Sequence, residues 1–268
     1  MPDKTEYLDN SLIQHGPDSQ RIYLMKLDPG DCPQIINKLD DLAKEKGYTK
    51  IFAKIPESLA DDFLGSGYRV EATVPGFFNA KTMAVFLGKY FDSQRKTSPE
   101  SQKINHILAI ARKKSQQDNQ PSLPAGCHIE KAGPDDAKPI SSIYRQVFQT
   151  YPFPVHEPEY LLETMRSHIE YYLVRSGSGI IAVASSEMDT DAKNVEMTDF
   201  ATLPQHRGKG LAGALLVHMD TQMRQRQMKT AYTIARAISA GMNITFAKAG
   251  YTFAGTLTNN TGIAGSIE

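Results

Sequence analysis

Residues 195–216 read V-E-M-T-D-F-A-T-L-P-Q-H-R-G-K-G-L-A-G-A-L-L. The first part of this stretch predicts a strand, and the apolar run from Leu211 predicts a helix. Gly208 and Gly210 stand where the helix begins, and glycine lets a backbone approach a ligand closely. The unpaired amide groups of a first helical turn and the positive end of the helix dipole attract phosphate groups. The stretch therefore predicts a strand, an anion-binding turn and a helix in succession.

The same two glycines have other interpretations. A lone G-x-G is more often simple turn punctuation. The third glycine is wrongly placed for a dinucleotide-binding fingerprint, and the strands before it do not belong to a β-α-β unit. No G-K-S or G-K-T follows, so the stretch is not the phosphate-binding loop of nucleotide hydrolases. The elements around the stretch must therefore decide its meaning.

The predicted elements fall into two series with a polar stretch between them. Residues 21–91 predict strand, helix, strand, short helix and two further strands. Residues 92–126 are polar and proline-containing around a short amphipathic helix, which indicates a linker. From residue 127 onwards the pattern predicts β-α-α-β-β-β, the glycine turn, and then α-β-α-β. The last two strands of this series are expected over 230–236 and 251–257.

Composition excludes several classes of protein. The 268 residues carry 30 Lys+Arg and 30 Asp+Glu, so the net charge is zero. A protein that binds nucleic acid or membranes by bulk charge is therefore not expected. The longest apolar run, Ile180–Ala184, is too short to span a membrane, and the N-terminus lacks an export signal. Two distant cysteines and no metal-ligand spacing favour a cytoplasmic protein without metal.

Two motifs of the second series resemble the GNAT superfamily of acetyl-CoA-dependent N-acetyltransferases. Q-H-R-G-K-G at 205–210 matches the Q/R-x-x-G-x-G/A signature that binds the coenzyme pyrophosphate in that superfamily. F-A-K-A-G-Y at 246–251 resembles its L-Y-E-K-L-G-F ending. The resemblance covers residues 127–268. It implies a mixed α/β sheet with the acyl-CoA N-acyltransferase fold, and acetyl-CoA as co-substrate.

Longer segments resemble a narrower family, the beta-lysine N-acetyltransferases. These segments are Y-P-F-P-V-H-E-P-E-Y-L at 151–161, T-M-R-S-H-I-E-Y-Y-L-V at 164–174, the run 235–261, and R-I-Y-L-M-K-L at 21–27. The resemblance implies acetylation of the side-chain amine of beta-lysine, which gives the compatible solute N-epsilon-acetyl-beta-lysine. It also implies a functional link to a lysine 2,3-aminomutase, which would supply the substrate.

The first series resembles part of the second. An offset of 183 residues aligns identical residues without gaps, including Ile51 with Ile234, Phe63 with Phe246, Gly67 with Gly250 and Tyr68 with Tyr251. We interpret 1–91 as a degenerate half-GNAT-like domain, 92–126 as a linker and 127–268 as the catalytic domain; the alternative is coincidence. L-D-P-G-D-C-P replaces the glycine turn in the first series, so its expected role is to pack beside the catalytic domain or to complete a homodimer. The second series lacks a counterpart of the strand 81–91, so its last strand is short, truncated or replaced by a neighbouring segment.

The candidate catalytic residues are two carboxylates. Glu196 and Asp199 lie on the strand before the glycine turn, where similar enzymes place a general base or an amine anchor. That strand usually carries a bulge, which breaks the alternation of side chains and leaves their facing open. We expect Asp199 to anchor the amine and Glu196 to act as base, with the reverse assignment equally open. Their alternative is a solvated charge at a sheet edge.

The candidate coenzyme-binding residues follow the strand end, the turn and the helix start. They are Ala201, Thr202, Leu203, Gln205, His206, Arg207, Gly208, Lys209, Gly210, Leu211, Ala212 and, near the next helix start, Asn243. Asn243 could equally be a helix-surface residue. The superfamily often has a tyrosine as general acid at the position of Phe246, so the proton donor is left open between Tyr232, Tyr251 and water.

The candidate substrate residues are Tyr151, Phe153, Thr198 and Arg236. Aromatic side chains suit an aliphatic ammonium chain, although they would serve equally well as packing for a rigid loop. Arginine suits the substrate carboxylate. The expected substrate is a small-molecule amine, preferably beta-lysine, transferred directly in a ternary complex. Alternatives are a polyamine, an amino sugar or a protein lysine, and, because of Phe246, a non-catalytic acyl-CoA-binding sensor.

Overall fold

The chain forms two compact units in a computed structural model that describes residues 3–116, 121–263 and 265–268. The first unit comprises residues 1–101, 150–153 and 254–268. The second comprises residues 102–149 and 154–253. This division differs from the expected boundaries, because the C-terminal segment and a short piece of the loop after residue 149 belong to the first unit. Within the described residues, no helix has the length and apolar character needed to cross a membrane.

The first unit is built on a six-stranded sheet in the order β1-β2-β3-β4-β6-β5. Its strands are β1 (Lys4–Leu8), β2 (Ser11–Gly16), β3 (Arg21–Lys26), β4 (Lys50–Pro56), β5 (Arg69–Phe78) and β6 (Thr82–Tyr90). Its helices are α1 (Gln34–Lys46), between β3 and β4, and α2 (Ala60–Gly65), between β4 and β5. Strands β3 and β4 are parallel, and the other neighbours are antiparallel.

Helix α1 forms where the apolar spacing predicts it. Ile35, Ile36, Leu39 and Ala43 are buried along one face and pack on the central strands. Such a stripe at helical spacing buries apolar surface and stabilises both the helix and the sheet. Gly47 ends the helix with φ 68°, a left-handed conformation that glycine adopts without strain.

The C-terminal segment does not form the strand expected over 251–257. Its main contact is a bridge between Gly255 and Ala72 of β5, with the amide of Thr73 donating to the carbonyl of Ala254 at 3.3 Å. The alternation of residues 251–257 is typical of a strand. However, the strand that pairs with this segment is β5 of the first unit, and the two pair at only one position. Two short strands close the segment, β12 (Gly262–Ile263) and β13 (Ser266–Ile267).

Buried cations of the first unit hold this segment by its main chain. They donate to three successive carbonyl oxygens: Lys50 to Thr258 at 2.9 Å, Arg95 to Asn259 at 2.9 Å and Arg21 to Asn260 at 2.8 Å. Lys50 also pairs with Glu71 at 2.8 Å, and both side chains are almost wholly buried. Because buried charges require partners, these bonds tie residues 258–260 to the core of the first unit.

The second unit is built on a five-stranded sheet in the order β11-β10-β9-β8-β7. Its strands are β7 (Cys127–Lys131), β8 (Ile169–Ser176), β9 (Gly179–Asp189), β10 (Asn194–Thr202) and β11 (Thr230–Tyr232). Its helices are α3 (Ser101–Ser115), α4 (Ala137–Val147), α5 (Pro158–Met165), α6 (Leu211–Gln225) and α7 (Ala240–Lys248). Strand β11 is parallel to β10 and shorter than the expected 230–236, because it leaves the sheet at Tyr232.

The two sheets share the arrangement that the internal similarity predicts. In each, three antiparallel strands are followed by a helix and by a fourth strand parallel to the third, namely β1-β2-β3-α1-β4 and β8-β9-β10-α6-β11. The first unit continues with β5 and β6, whereas the chain after α7 passes into the first unit. The fold class is therefore confirmed as mixed α/β, with two related sheets.

Candidate active site

The glycine turn leaves an open space at the start of α6. Gly208 and Gly210 have φ values of 76° and 74°, and Gly210 is the residue that caps the helix. A β-carbon built on either residue would meet no atom within 4 Å. The positive φ angles therefore explain why glycine stands at both positions, and the turn keeps room for a ligand beside the main chain.

Helix α6 is held firmly against the sheet behind this turn. Leu211, Leu215 and Met219 are buried in the core of the second unit, together with Val195 and Met197 of β10. The first main-chain bond of the helix joins the amide of Ala214 to the carbonyl of Gly210 at 3.0 Å. The amides before Ala214 lack acceptors within the helix, so they can donate to an anion at the turn.

The predicted coenzyme residues lie in one continuous stretch around this turn. Ala201 and Thr202 end β10, Gln205 and His206 lie in a short 3₁₀ turn, and Ala212 lies in the first turn of α6. Leu203 connects the strand to the 3₁₀ turn, and Arg207 donates through Nε to the carbonyl of Thr202 at 3.3 Å. Arg207 and Lys209 are exposed, so their charges face solvent beside the glycines.

Strands β10 and β11 part beside the turn. Their pairing runs from Asn194 with Thr230 to Glu196 with Tyr232, where β11 ends. Strand β10 continues to Thr202 and pairs on its other side with β9. On its β11 side, β10 therefore has no strand partner after Glu196, over the residues directly before the glycine turn.

A β-bulge sets the direction of Asp199. The register between β9 and β10 shifts between Thr198 and Ala201, and Asp199 has a left-handed φ of 57°. Its carboxylate accepts a hydrogen bond of 2.5 Å from the hydroxyl of Ser185 on β9. The bulge that the sequence anticipates is therefore present, and it turns Asp199 toward β9.

Glu196 and Asp199 lie on the same face of the sheet. Val195 and Met197 pack toward α6, so Glu196 between them points to the opposite face. Ala184 also packs toward α6, so Ser185, which binds Asp199, points away from it. In the strand register, Glu196 lies directly opposite Glu187 of β9. We call the three carboxylates Glu187, Glu196 and Asp199 the acidic face.

One buried and one half-buried tyrosine border the acidic face. Burial raises the pKa of Tyr160 on α5 and of Tyr171 on β8, and the negative charge of Asp199 raises both further. The Tyr171 hydroxyl also lies 3.0 Å from the hydroxyl of Thr164. Both tyrosines therefore remain protonated over the physiological range. Carboxylates next to aromatic rings form surroundings that favour a bound ammonium group.

The opposite face of the sheet carries Phe246, which stands where the superfamily often has its general acid, and Tyr251, one of the candidate proton donors. Phe246 is buried, with its ring 5.5 Å from that of Phe200 and 5.1 Å from that of Tyr251. The Tyr251 hydroxyl donates to Asp220 of α6 at 2.9 Å. Burial raises the pKa of Tyr251, and Asp220 raises it further. The Tyr251 hydroxyl thus binds the C-terminal half of α6, away from the glycine turn.

Similarity to known proteins agrees with this geometry. A family model described as "Acetyltransferase (GNAT) family" matches residues 139–251. The Beta-lysine N(6)-acetyltransferase of Methanococcus maripaludis is 36% identical over 261 residues, which cover 97% of this chain and 94% of that protein. The chain belongs to the GNAT family of acetyltransferases. It is therefore an N-acetyltransferase.

Two further relatives of this GNAT enzyme are similar over most of their length. The Beta-lysine N(6)-acetyltransferase of Methanosarcina mazei is 31% identical over 259 residues, covering 89% of this chain and 95% of that protein. The N-acetyltransferase YodP of Bacillus subtilis is 28% identical over 258 residues, covering 96% of this chain and 93% of that protein. The similarity includes both units of the GNAT enzyme.

Asn243 of the GNAT enzyme closes the loop before α7. Its side-chain amide donates to the carbonyl of Arg236 at 3.0 Å and to that of Ser239 at 2.9 Å. This role is structural and was not anticipated, and contact of Asn243 with the coenzyme stays a prediction. Arg236 lies at the opening of that loop, and Thr198 lies next to the bulge, both in the second unit.

Tyr151 and Phe153 lie in a segment that belongs to the first unit. The carbonyl of Pro152 accepts a bond of 2.8 Å from Gln14, and the hydroxyl of Thr150 accepts one of 3.0 Å from the amide of Gly265. The structure therefore places these aromatic residues in a different unit from Glu196 and Asp199. Their role in binding substrate stays a prediction.

Sequence reasoning missed several side chains of the site. They are Ser185, Glu187, Tyr160 and Tyr171. One signal was present, since S-S-E at 185–187 interrupts an otherwise apolar strand. No group of three or more histidine, cysteine or carboxylate side chains among the described residues is arranged to hold a metal ion.

Proposed function

We propose that this GNAT enzyme transfers the acetyl group of acetyl-CoA to the N6 amine of beta-lysine, directly and in a ternary complex. The observation that carries the proposal is the 36% identity with a Beta-lysine N(6)-acetyltransferase over 97% of the chain. A second protein of that name is 31% identical. Two acidic candidates on one face of the sheet and an open helix start after β10 would supply the required chemistry.

The residues of the glycine turn fit a coenzyme A pyrophosphate. Gly208 and Gly210 keep the space beside the main chain open, and the amides of Leu211 and Ala212 belong to the first turn of α6. Backbone amides and a helix dipole bind phosphate without a large net charge, which suits a chain of zero net charge. The end of β10, where β11 no longer pairs with it, suits the extended arm of the coenzyme. When bound, acetyl-CoA supplies the thioester that the amine attacks.

The acidic face suits the amine. A lysine-type amine has a pKa near ~10.4, so it arrives protonated and must lose a proton before it reacts. Asp199 would anchor the ammonium group, and Glu196 would accept the proton, directly or through water. Tyr160 and Tyr171 add aromatic surface beside Asp199. Arg236 would bind the carboxylate of the substrate.

The charge of the proposed product indicates what the reaction would be for. Beta-lysine carries two ammonium groups and one carboxylate, and acetylation of one amine gives a molecule without net charge. Such a product suits a compatible solute that accumulates in the cytoplasm during osmoadaptation. An aminomutase acting on lysine would supply the substrate. The first unit would support the catalytic unit or complete a homodimer.

An acetylation assay tests the proposal. Purified enzyme is mixed with acetyl-CoA and, separately, with beta-lysine, alpha-lysine and spermidine, and free thiol and acetylated product are measured. We expect turnover with beta-lysine, and an N6-acetyl group in the product by NMR. Turnover with spermidine but not with beta-lysine contradicts the proposed substrate. Tight binding of acetyl-CoA without turnover of any amine contradicts catalysis.

A further inference from the structure

Two neighbouring serines of β9 are equally buried and point to opposite faces of the sheet. Ser185 and Ser186 both have no exposed surface. The Ser185 hydroxyl donates to the Asp199 carboxylate at 2.5 Å. The Ser186 hydroxyl lies 3.5 Å from the sulfur of Met197, in the core toward α6. The two hydroxyls therefore differ in what they bind, and not in how well they are packed.

Asp199 depends on its side-chain contacts for its direction. It lies in a bulge, where the regular alternation of a strand no longer determines which face a side chain occupies. Its left-handed φ of 57° is uncommon for a residue other than glycine. A bond from a buried hydroxyl on the neighbouring strand fixes the carboxylate toward the acidic face. Ser185 cannot exchange this bond for one with solvent, because it is fully buried.

We infer that Ser185 is a positioning residue, which holds the Asp199 carboxylate in the orientation that binds the ammonium group of the acceptor amine. This inference rests on the proposed function and adds a residue to its amine site. Ser185 donates its hydroxyl proton to Asp199 and touches no reacting atom. Tyr160 on α5 and Tyr171 on β8 feel the charge of the same carboxylate, and Glu187 and Glu196 lie on the same face of the sheet. The bond from Ser185 holds the Asp199 carboxylate in one orientation among these groups.

The test compares Ser185→Ala with Ser186→Ala, using the amine that shows the highest turnover. For Ser185→Ala we expect KM for the amine to rise about tenfold, which corresponds to about 1.4 kcal/mol, while KM for acetyl-CoA changes less than twofold. For Ser186→Ala we expect neither KM to change by more than twofold. The melting temperatures of the two variants should be lowered by similar amounts, because both variants lack a buried hydroxyl.

Two additional variants separate positioning from packing. Ser185→Thr retains a hydroxyl on a strand position and should restore KM for the amine to within about threefold of the wild type. In the background of Asp199→Asn, Ser185→Ala should raise KM much less than it does alone, because the carboxylate it orients is absent. If Ser185→Ala does not fold, Ser185→Cys replaces it, since a thiol is a weaker donor of similar shape.

Equal KM values for the amine in Ser185→Ala and Ser186→Ala would overturn the inference, as would full additivity with Asp199→Asn. A failure of the proposed substrate is distinguishable from this outcome. If spermidine is acetylated and beta-lysine is not, the substrate proposal fails, but the same KM pattern measured with spermidine still decides the role of Ser185.

Discussion

Helices α1 and α6 have equivalent places in the two sheets, but their entrances differ. At α6, Gly208 and Gly210 leave open space beside the main chain. At α1, Asp28 accepts a bond of 2.8 Å from the amide of Gly30, and Asp31 accepts from the hydroxyl of Ser11 at 2.7 Å. Asp28 caps a 3₁₀ turn, Pro29–Asp31, which precedes α1, so two carboxylates stand in the segment where the other sheet has its glycine turn, and their charge disfavours a phosphate there. We therefore expect the same topology to bind an anion at α6 and not at α1.

The units also differ in what completes them. The first unit contains β5 and β6 after its parallel strand and, in addition, receives the C-terminal segment through Lys50, Arg95 and Arg21. The second unit has α7 after its parallel strand, and its chain then leaves. The two related sheets are therefore completed by different segments of the chain.

The largest expected effect is on the stability of the first unit. Lys50→Met removes the buried cation from Glu71, whose side chain is only 2% exposed and keeps the more distant Arg69 at 3.8 Å. Breaking a buried ion pair by removing one member typically costs about 3–5 kcal/mol of unfolding free energy. We expect a loss of this size in urea unfolding. The matched control is Lys89→Met, which breaks a more exposed pair with Asp40 and should cost about 1 kcal/mol. Equal losses would contradict the role of the buried pair.

A second comparison uses two glycines that have the same left-handed backbone conformation. Gly210 has φ 74° and Gly47 has φ 68°, and a β-carbon on either meets no atom within 4 Å. Replacement by alanine should cost each about 1 kcal/mol of unfolding free energy, because left-handed backbone disfavours a side chain. Only Gly210→Ala should also raise KM for acetyl-CoA, by about tenfold or more. A similar change of KM in Gly47→Ala would refute the assignment of the coenzyme site.

A third effect depends on pH. The hydroxyl of Ser11, followed by Asn10, holds the pKa of Asp31 below its ordinary value. Its ionised form therefore stabilises the first unit above pH ~4, and this contribution is lost as the pH falls through the lowered pKa. The melting temperature of Asp31→Asn should lie below that of the wild type at neutral pH, and the difference should shrink at pH ~3. A difference that does not depend on pH would contradict this account; exposed Asp41→Asn is the control.

The smallest effect concerns the acidic face. The nearby carboxylate of Glu187, 3.7 Å from the ring nitrogen Nε2, raises the pKa of the half-exposed His168. The pair therefore stabilises the second unit at pH below the ordinary histidine pKa and loses that contribution as the pH rises through the raised value. Glu187→Gln should lower the pKa of His168 in an NMR titration. No change in that titration would show that the pair does not form in solution.

Local sequence signals predicted the parts of the fold in which neighbours along the chain determine structure. Helix α1 and its end at Gly47 followed from apolar spacing, and the glycine turn followed from its place between a strand and a helix. The hairpin of β1 and β2 was missed, although Asp9-Asn10 between two short apolar runs is a turn signal.

Long-range pairing explains the errors. The run 251–257 alternates like a strand, but its partner, Ala72, is about 180 residues away and bonds at one position only. The facing of Asp199 was equally inaccessible from the sequence, because a bulge breaks the period of two. The role of Ser185 depends on that bulge, so it emerged only from the three-dimensional structure.

The most direct test of this account is the stoichiometry of coenzyme binding. Isothermal titration of the full chain with acetyl-CoA should show one site per chain, because α6 begins at an open glycine turn, whereas the segment before α1 has no such turn and carries the carboxylates of Asp28 and Asp31. Gly210→Val should abolish that site in a chain that still folds, and Gly47→Val should retain it. Two sites per chain, or one site that survives Gly210→Val, would contradict the central claim.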